Sequence, residues 1–184
     1  MKAPTIEVLS SDTRETELAP PCGDPSDLAR QIYPAIAQLS FFKGLSTYQL
    51  RVLADTALRS DFKRDEFIFR QGDPANRFYI ILEGKVVLES EVKERNVVTV
   101  QTLGPGDNLG WSWLFPPCDF HFSARALEPV KAIFFYGTRL QQQCEENHEL
   151  GYELMKRVAV TLIQNLHATQ QRLLESTDIS NLPG

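Results

Sequence analysis

The chain has 184 residues, of which 42% are hydrophobic, and this is enough to bury one core and little more. Its formal net charge of −5 at pH 7 argues against a dedicated nucleic-acid binder, because neutralising phosphates needs clustered lysine and arginine side chains. The sequence has no signal region and no apolar run long enough to cross a bilayer, so we expect a cytoplasmic protein without membrane contact.

The N-terminal part of the chain predicts a tail followed by two helices. Residues 1–26 are rich in Ser, Thr, Glu and Pro, and we expect a disordered tail there. Residues 27–38 carry apolar side chains at helical spacing, although Pro34 should bend or divide this helix. Ser46 is a candidate N-cap for a second helix. The apolar face of that helix consists of Leu50, Leu53, Ala54 and Ala57.

The central region changes to the pattern of short β-strands. Its apolar or alternating runs are bounded by Gly, Pro, Asn and Asp, which is typical of a β-sandwich or barrel. Gly72 and Gly84 lie where tight turns need a positive φ. The predicted strands are residues 67–70, 78–82, 85–88, 97–103 and 130–136. Helices and barrel together are expected to occupy residues 27–144.

The C-terminal part predicts one long helix over residues 145–175, followed by a polar tail over 176–184. Apolar residues recur at alternating spacings of four and three, which is the seam of a coiled coil. A helix of this length outruns a small barrel. We therefore favour a homodimer over a helix that packs only on its own barrel. The seam residues are Met155, Ala159, Leu162, Leu166 and Leu173, with Thr169 interrupting them.

The stretch 103–117 holds both tryptophans and combines a turn with a short helical segment. Gly104-Pro105-Gly106-Asp107 forms the turn, and Pro116-Pro117 ends the segment that follows it. A glycine-bearing turn that leads into a helix N-terminus favours anions, because unpaired backbone N–H groups and the helix dipole point to the same place. The spacing alone fits many ordinary loops equally well.

Three motifs in a fixed order carry a resemblance to a known family. They are Gly72-Asp73-Pro74, the run 78–86 and the run 103–110. In this order they resemble the cyclic nucleotide-binding domain family in its Crp/Fnr-type form, over about residues 39–174. The resemblance implies a mainly β fold, a jelly-roll barrel (double-stranded β-helix) with flanking helices and a long C-terminal helix. It also implies that the tryptophan-containing stretch is the phosphate-binding cassette and that the long helix dimerises, as in relatives.

The two charges that hold a cyclic nucleotide in this family are replaced here. A glutamate just after the cassette glycine binds the ribose hydroxyl, and an arginine about nine positions later pairs with the phosphate. Without a gap, Trp111 and Phe120 stand at these positions. Each lost charge-assisted hydrogen bond costs about 1.5–3 kcal/mol, so a micromolar site would weaken by roughly two to four decades. A cyclic nucleotide is thus a weakened candidate ligand, and no cofactor is assigned with certainty.

Backbone N–H groups and aromatic side chains remain around the cassette. Strand alternation puts Phe120 and Arg125 on opposite faces, so we expect Arg125 to point away unless a bulge intervenes. The family resemblance puts Glu83 and Gly84 close to the pocket. The predicted ligand-binding residues are Glu83, Gly84, Gly110, Trp111, Ser112, Phe120, His121, Phe122, Ser123 and Arg125.

Three functions remain open at this point. The first is a regulatory domain in which a small-molecule ligand or a protein partner at the cassette biases the position of the long helix. The second is a degenerate barrel that fills its pocket with aromatic side chains and binds only protein. The third is a small metal- or haem-binding barrel with Cys118 and His121 as ligands.

Two activities are not expected. No nucleophile and base occur at an identifiable spacing, so no catalytic or metal residue is assigned and the chain is not expected to be an enzyme. The residues after the long helix leave no room for a helix-turn-helix, so we expect no direct reading of DNA sequence.

Overall fold

The computed structural model describes residues 25–92, 96–114 and 119–179. The helices are α1 (Pro25–Gln38), α2 (Thr47–Thr56), α3 (Gly137–Glu146) and α4 (His148–Ile179), with 3₁₀ turns at Ser40–Phe42 and Trp111–Leu114. The strands are β1 (Ala57–Phe62), β2 (Phe67–Phe69), β3 (Arg77–Glu83), β4 (Val86–Val92), β5 (Asn96–Leu103), β6 (Asn108–Leu109), β7 (Ser123–Ala126) and β8 (Val130–Tyr136). None of these helices is both long and apolar enough to cross a membrane.

The strands form two four-stranded antiparallel sheets, in the orders β1-β8-β3-β6 and β2-β7-β4-β5. The predicted mainly β fold with flanking helices is therefore confirmed, and the predicted strands correspond to β2, β3, β4, β5 and β8. The sequence pattern missed β1 and β6, whereas β7 lies in the stretch where strand alternation was applied to residues 120–125. Ala57, predicted on the face of a helix, instead begins β1, because the chain passes from α2 into this strand without a turn.

Strand β3 is buried on both faces because its alternate side chains enter different cores. Phe78 and Ile80 belong to a core that the first sheet forms with all four helices. Tyr79 and Ile81 belong to the core between the two sheets. β8 divides its side chains in the same way. Burial on both faces explains why these strands read as continuous apolar runs rather than alternating ones.

The N-terminal helices agree with the sequence pattern apart from Ala57, described above, and from the start of α1, which at Pro25 includes the last two residues of the predicted tail. Ser46 caps α2 as predicted: its hydroxyl accepts from the Gln49 N–H at 3.2 Å, and the Gln49 side chain accepts from the Ser46 N–H at 2.9 Å. α1 is one helix with Pro34 inside it, so Pro34 does not divide it. Of the predicted N-terminal tail, residues 1–24 lie outside the described part of the chain.

The predicted long helix is preceded by a separate helix that the sequence pattern did not distinguish. α3 ends at Glu146, and Asn147 joins it to α4. The Asn147 side chain accepts from the Leu150 N–H at 3.0 Å, which caps the new helix and explains the break. α4 extends to Ile179, so residues 176–179 of the predicted polar tail are helical. Residues 180–184 are outside the described part.

The two glycines predicted in tight turns both adopt a positive φ, +87° for Gly72 and +88° for Gly84. Their surroundings differ. A Cβ atom added to Gly84 would lie 2.3 Å from the Pro129 carbonyl oxygen, whereas one added to Gly72 would meet nothing within 4 Å. Gly72 is therefore required only for its backbone conformation, and Gly84 also for the space it leaves free.

We predict that Gly84→Ala destabilises the fold more than Gly72→Ala. The strained φ alone should cost about 1–2 kcal/mol in each variant. The contact with the Pro129 carbonyl should bring the loss for Gly84→Ala to about 3 kcal/mol or more. Urea denaturation of both variants measures the difference, and equal losses would contradict the geometry.

Candidate ligand-binding site

The turn before the cassette is fixed to β3 by backbone hydrogen bonds. The Gly106 N–H donates to the Ile81 carbonyl at 2.8 Å, and the Ile81 N–H donates to the Asp107 carbonyl at 3.0 Å. Within the turn, Asp107 Oδ2 accepts from the Gly104 N–H at 2.8 Å. The predicted helical turn follows β6 as a 3₁₀ turn. The cassette is thus held at the edge of the first sheet.

Gly110 is the glycine on which the cassette turns. Its φ is +81°, and an added Cβ atom would lie 2.5 Å from the Arg77 carbonyl oxygen and 3.3 Å from the Phe120 ring. Phe120 is buried and stacks on Phe69, with 3.7 Å between ring centroids and 13° between ring planes. An aromatic ring therefore packs directly against the cassette glycine, at the position where the family pattern has an arginine.

A cavity of about 230 Å³ opens beside the cassette. Its walls come from both sheets, from the cassette and from α4. None of the described residues that line it is Lys, Arg, Asp or Glu. The predicted ligand-binding residues among them are Gly110, Trp111, Ser112, Phe120, His121 and Phe122.

Two side-chain hydrogen bonds connect the barrel wall of the cavity to α4. Asn108 Nδ2 donates to Thr161 Oγ1 at 3.2 Å, and Gln101 Nε2 donates to Asn165 Oδ1 at 3.4 Å. The other atom of the Asn108 amide, Oδ1, is buried and has no hydrogen-bond partner. Asn108 therefore holds a buried acceptor without a partner at the contact between the barrel and the helix.

A larger cleft of about 600 Å³ lies on the other side of these hydrogen bonds. Gln101, Asn108 and Asn165 line both spaces. The cleft differs in character because charged side chains line it, among them Glu153 and Arg157, which form an ion pair at 2.5 Å. The smaller cavity is the candidate site, because it is the one that Gly110, Trp111 and Ser112 line.

Arg125, one of the predicted ligand residues, lies outside the cavity. Its Nε donates to Glu89 Oε2 at 3.1 Å, a second hydrogen bond joins Nη2 to Glu89 Oε1, and Nη1 lies 3.0 Å from Asp65 Oδ1. Glu89 is only 8% exposed, and its hydrogen bond raises the pKa of Arg125 above the usual value. The neighbours of Arg125 in β7 are Ala124 and Ala126, which are buried in the core between the sheets. Arg125 therefore faces outward by strand alternation.

Three further predicted residues lie away from the cavity. Glu83 is exposed and pairs with Lys131 at 2.9 Å, and Gly84 serves the turn described above. The Ser123 hydroxyl is buried and accepts from the Gln71 N–H at 3.0 Å, so it supports the backbone at the start of β7. These three residues do not line the cavity, because the β3–β4 turn and the outer face of β7 are directed elsewhere.

Comparison with known proteins shows which family the chain belongs to. The family model of the cyclic nucleotide-binding domain matches residues 59–147. A solved putative cyclic nucleotide-binding protein from Geobacter metallireducens GS-15 is 30% identical, with a TM-score of 0.63, over 79% of this chain and 99% of that one. The chain belongs to the cyclic nucleotide-binding domain family. The family resemblance inferred from the three motifs is thereby confirmed.

Two curated relatives of this cyclic nucleotide-binding domain are named as regulators. A CRP-like cAMP-activated global transcriptional regulator from Mycobacterium tuberculosis is 24% identical over 149 residues, which are 81% of this chain and 64% of the relative. A cAMP-dependent protein kinase regulatory subunit from Dictyostelium discoideum is 38% identical over 85 residues, which are 44% of this chain and 26% of the relative. The matched part is less than two thirds of the length of either relative.

Helix α4 has two apolar faces, which the sequence pattern merged into one. Leu150, Leu154 and Val158 are buried against the barrel and the other helices. Leu162, predicted in the dimer seam, is half-buried and lines the cavity. The apolar residues exposed on the helix are Tyr152, Met155, Ala159, Val160, Ile163, Leu166 and Leu174. The side chain of Leu173 lies outside the described set.

Several residues of the cavity were missed by the sequence analysis. Phe69 lies in a strand that the apolar pattern predicted, but nothing in the sequence pairs it with Phe120. Gln101 lies within a predicted strand, and Asn108 follows a predicted turn. Only the position of α4 makes their side chains part of the contact between the barrel and this helix. The sequence did hold a signal that could have identified Asn108: it is a polar residue between the Gly-Pro-Gly-Asp turn and the cassette glycine.

We predict that Arg125 acts on stability through Glu89. Arg125→Met should lower the free energy of unfolding by about 1–3 kcal/mol, because the buried Glu89 carboxylate then lacks its partner. This value is lower than for a fully buried ion pair because Arg125 is partly exposed. The double variant Arg125→Met/Glu89→Met should recover most of this loss, and Lys131→Met, in an exposed pair, should change little. Urea denaturation measures all three. A double variant no more stable than Arg125→Met would contradict the pairing.

Proposed function

We propose that this chain is a ligand-sensing regulatory domain with a non-standard phosphate-binding cassette, in which a ligand in the cavity fixes the distal half of α4 on the barrel. The single observation that carries the proposal is the composition of the cavity wall. The cassette contributes one side and α4 the other, through Leu162, Asn165, Leu166 and Thr169. A ligand in this space contacts both elements at once.

The two halves of α4 differ in how they are held, which supports this mechanism. Leu150, Leu154 and Val158 are 0%, 4% and 3% exposed and anchor the first half in the core. Beyond them, the described contacts with the barrel are the half-buried Leu162 and the side-chain hydrogen bonds of Thr161 and Asn165. A few such contacts make a weak attachment, so a ligand that adds to them shifts a two-state equilibrium of the helix.

The protein-interaction module is the second candidate. The stacked rings of Phe69 and Phe120 favour it, because they fill part of the space beside the cassette with side chains. The remaining cavity of about 230 Å³ favours a ligand over a filled pocket. The haem or metal alternative depends on Cys118, which lies outside the described residues, and on His121, which is exposed at the cavity. We assign neither catalysis nor DNA reading to this domain.

We also propose that two copies associate through the exposed apolar face of α4. Tyr152, Met155, Ile163 and Leu166 are each about half exposed or more, at 64%, 46%, 53% and 56%. Tyr152 and Ile163 lie on the side of the helix opposite Leu154, Met155 lies between the two sides, and Leu166 also lines the cavity. A contiguous exposed apolar stripe on a helix is costly in water and is covered in a helix pair.

The ligand-sensing proposal is tested by filling the cavity covalently. Leu88 lines the cavity, so Leu88→Trp places additional ring atoms between the barrel and α4. We expect amide hydrogen exchange at residues 162–169 to slow by about fivefold, which corresponds to ~1 kcal/mol, with no change at residues 150–158. Thr102→Trp adds a tryptophan at an exposed position outside the cavity and serves as the control. Unchanged or faster exchange at residues 162–169 in Leu88→Trp would contradict the proposal.

The dimer is tested by a charge on the exposed face. Ile163→Glu should weaken self-association at least about tenfold, because the interface would then bury an unpaired carboxylate. Gln164→Glu adds the same charge at the next residue, away from the centre of the stripe, and should change association far less. Sedimentation equilibrium gives both dissociation constants. A monomeric wild-type chain, or equal effects of both variants, would exclude this interface.

A further inference from the structure

We propose that the larger cleft is a second ligand-binding site, and that it takes a small hydroxylated phosphate ester of the sugar phosphate kind. The cleft has a volume of about 600 Å³ and lies across the polar contacts of α4 from the cavity beside the cassette. Small-molecule pockets span about 300–1,000 Å³, so a molecule of this size fits. The inference goes beyond the proposed function, because it is independent of what occupies the cavity.

Three parts of the chain form the walls of the cleft. The 3₁₀ turn near the N-terminus contributes Ser40, Phe41 and Lys43, and the segment from β5 to β6 contributes the wall opposite them. The third wall is α4, from Glu153 to Asn165. A ligand in the cleft therefore touches the turn, the barrel and both the anchored and the weakly held half of the helix.

The wall formed by the turn and α4 has an excess of positive charge. Lys43, Lys156 and Arg157 all line the cleft. The Glu153 carboxylate lies between two of these cations, with Oε1 2.5 Å from Lys156 Nζ and Oε2 2.5 Å from Arg157 Nη1. Hydrogen bonds from Lys156 and Arg157 hold the pKa of Glu153 below its usual value. Glu153 is therefore ionised at pH 7 and balances only one of its two cationic neighbours.

Lys43 adds a further positive charge on the facing element. Its carbonyl oxygen accepts from Arg157 Nη2 at 2.9 Å, which fixes its backbone at the cleft. Its side chain is exposed and forms no ion pair with the described residues. The flexible four-carbon stem lets the ammonium group reach a ligand in the cleft.

The remaining carboxylate of the cleft belongs to the opposite wall. Asp107 Oδ2 accepts from the Gly104 N–H at 2.8 Å and so is bound to its own turn. Cations from two different elements thus face one end of the cleft. A phosphate monoester carries a charge of about −1.5 to −2 at pH 7 and three acceptor oxygens, so it pairs with several such groups at once.

Neutral amide side chains elsewhere in the wall suit hydroxyl groups. Gln101 Nε2 donates to Asn165 Oδ1 at 3.4 Å, and this bond leaves the carbonyl of Gln101 and the NH₂ of Asn165 for a ligand. Gln164 lines the same space with an exposed amide. A carboxamide offers both donors and an acceptor, and a hydroxyl group can use both. The wall therefore favours a ligand that combines a phosphate with several hydroxyl groups.

The test is isothermal titration calorimetry of the full chain at pH 7 with glucose 6-phosphate, glucose, gluconate and inorganic phosphate. Glucose 6-phosphate should bind at least about tenfold more tightly than glucose, because only the ester offers charge-assisted hydrogen bonds. It should also bind at least about tenfold more tightly than inorganic phosphate, which has no sugar hydroxyls to bond the amides. Gluconate, with a single carboxylate charge, should bind about threefold or more weakly than glucose 6-phosphate.

Matched variants locate the site. Lys43→Met and Lys156→Met should each weaken binding of glucose 6-phosphate by about fivefold or more, whereas Lys43→Arg should retain it. Lys131→Met removes an exposed cation outside the cleft and should change nothing. Gln164→Leu should weaken glucose 6-phosphate and leave inorganic phosphate unchanged. Leu88 lines the cavity and not the cleft, so Leu88→Trp should retain binding. Circular dichroism of each variant verifies that it is folded.

The outcomes decide the inference separately from the proposed function. Absence of glucose 6-phosphate binding, or binding no tighter than that of glucose or gluconate, would overturn it. Binding that survives both lysine substitutions, or that is lost in Leu88→Trp and so belongs to the cavity, would also overturn it. Binding that is lost with the lysines and retained in Leu88→Trp supports it, whatever hydrogen exchange in α4 shows about ligand sensing at the cavity.

Discussion

The burial of β3 on both faces is the constraint from which the rest of the structure follows. Phe78 and Ile80 hold the helices on one side, and Tyr79 and Ile81 hold the second sheet on the other. The same strand carries the cassette, since its backbone bonds to the turn that precedes β6. Helices, barrel and cassette are therefore positioned by one rigid element.

The position of Arg125 gives the site its chemical character. A guanidinium is costly to bury without a carboxylate, and here Glu89 and Asp65 supply the carboxylates on the outer face of the second sheet. On the inner face of this sheet, Ala124 and the stacked rings of Phe69 and Phe120 pack in the core between the two sheets. The guanidinium of Arg125 is thus kept outside the cavity beside the cassette.

Helix α4 lies between two surfaces with different roles. Its first half is part of the main core, so it moves only with the barrel. Its second half contacts the cavity on one side and presents exposed apolar residues on the other. A ligand in the cavity and a second copy on the exposed face would act on the same turns of helix. The free energy of ligand binding and that of association are then linked through the position of these turns.

The sequence by itself determined the fold class, most strands and the positive-φ glycines, because apolar period, turn residues and Ser46 as N-cap are local signals. It also predicted that Trp111 and Phe120 stand, without a gap, where the family resemblance implies the two usual charges. Only the tertiary structure decided which residues form the site. Arg125 does not reach the cavity because it lies on the outward face of β7. The roles of Asn108, Gln101 and Leu162 depend on where α4 crosses the barrel. Those contacts join residues more than fifty positions apart, and no local period encodes them.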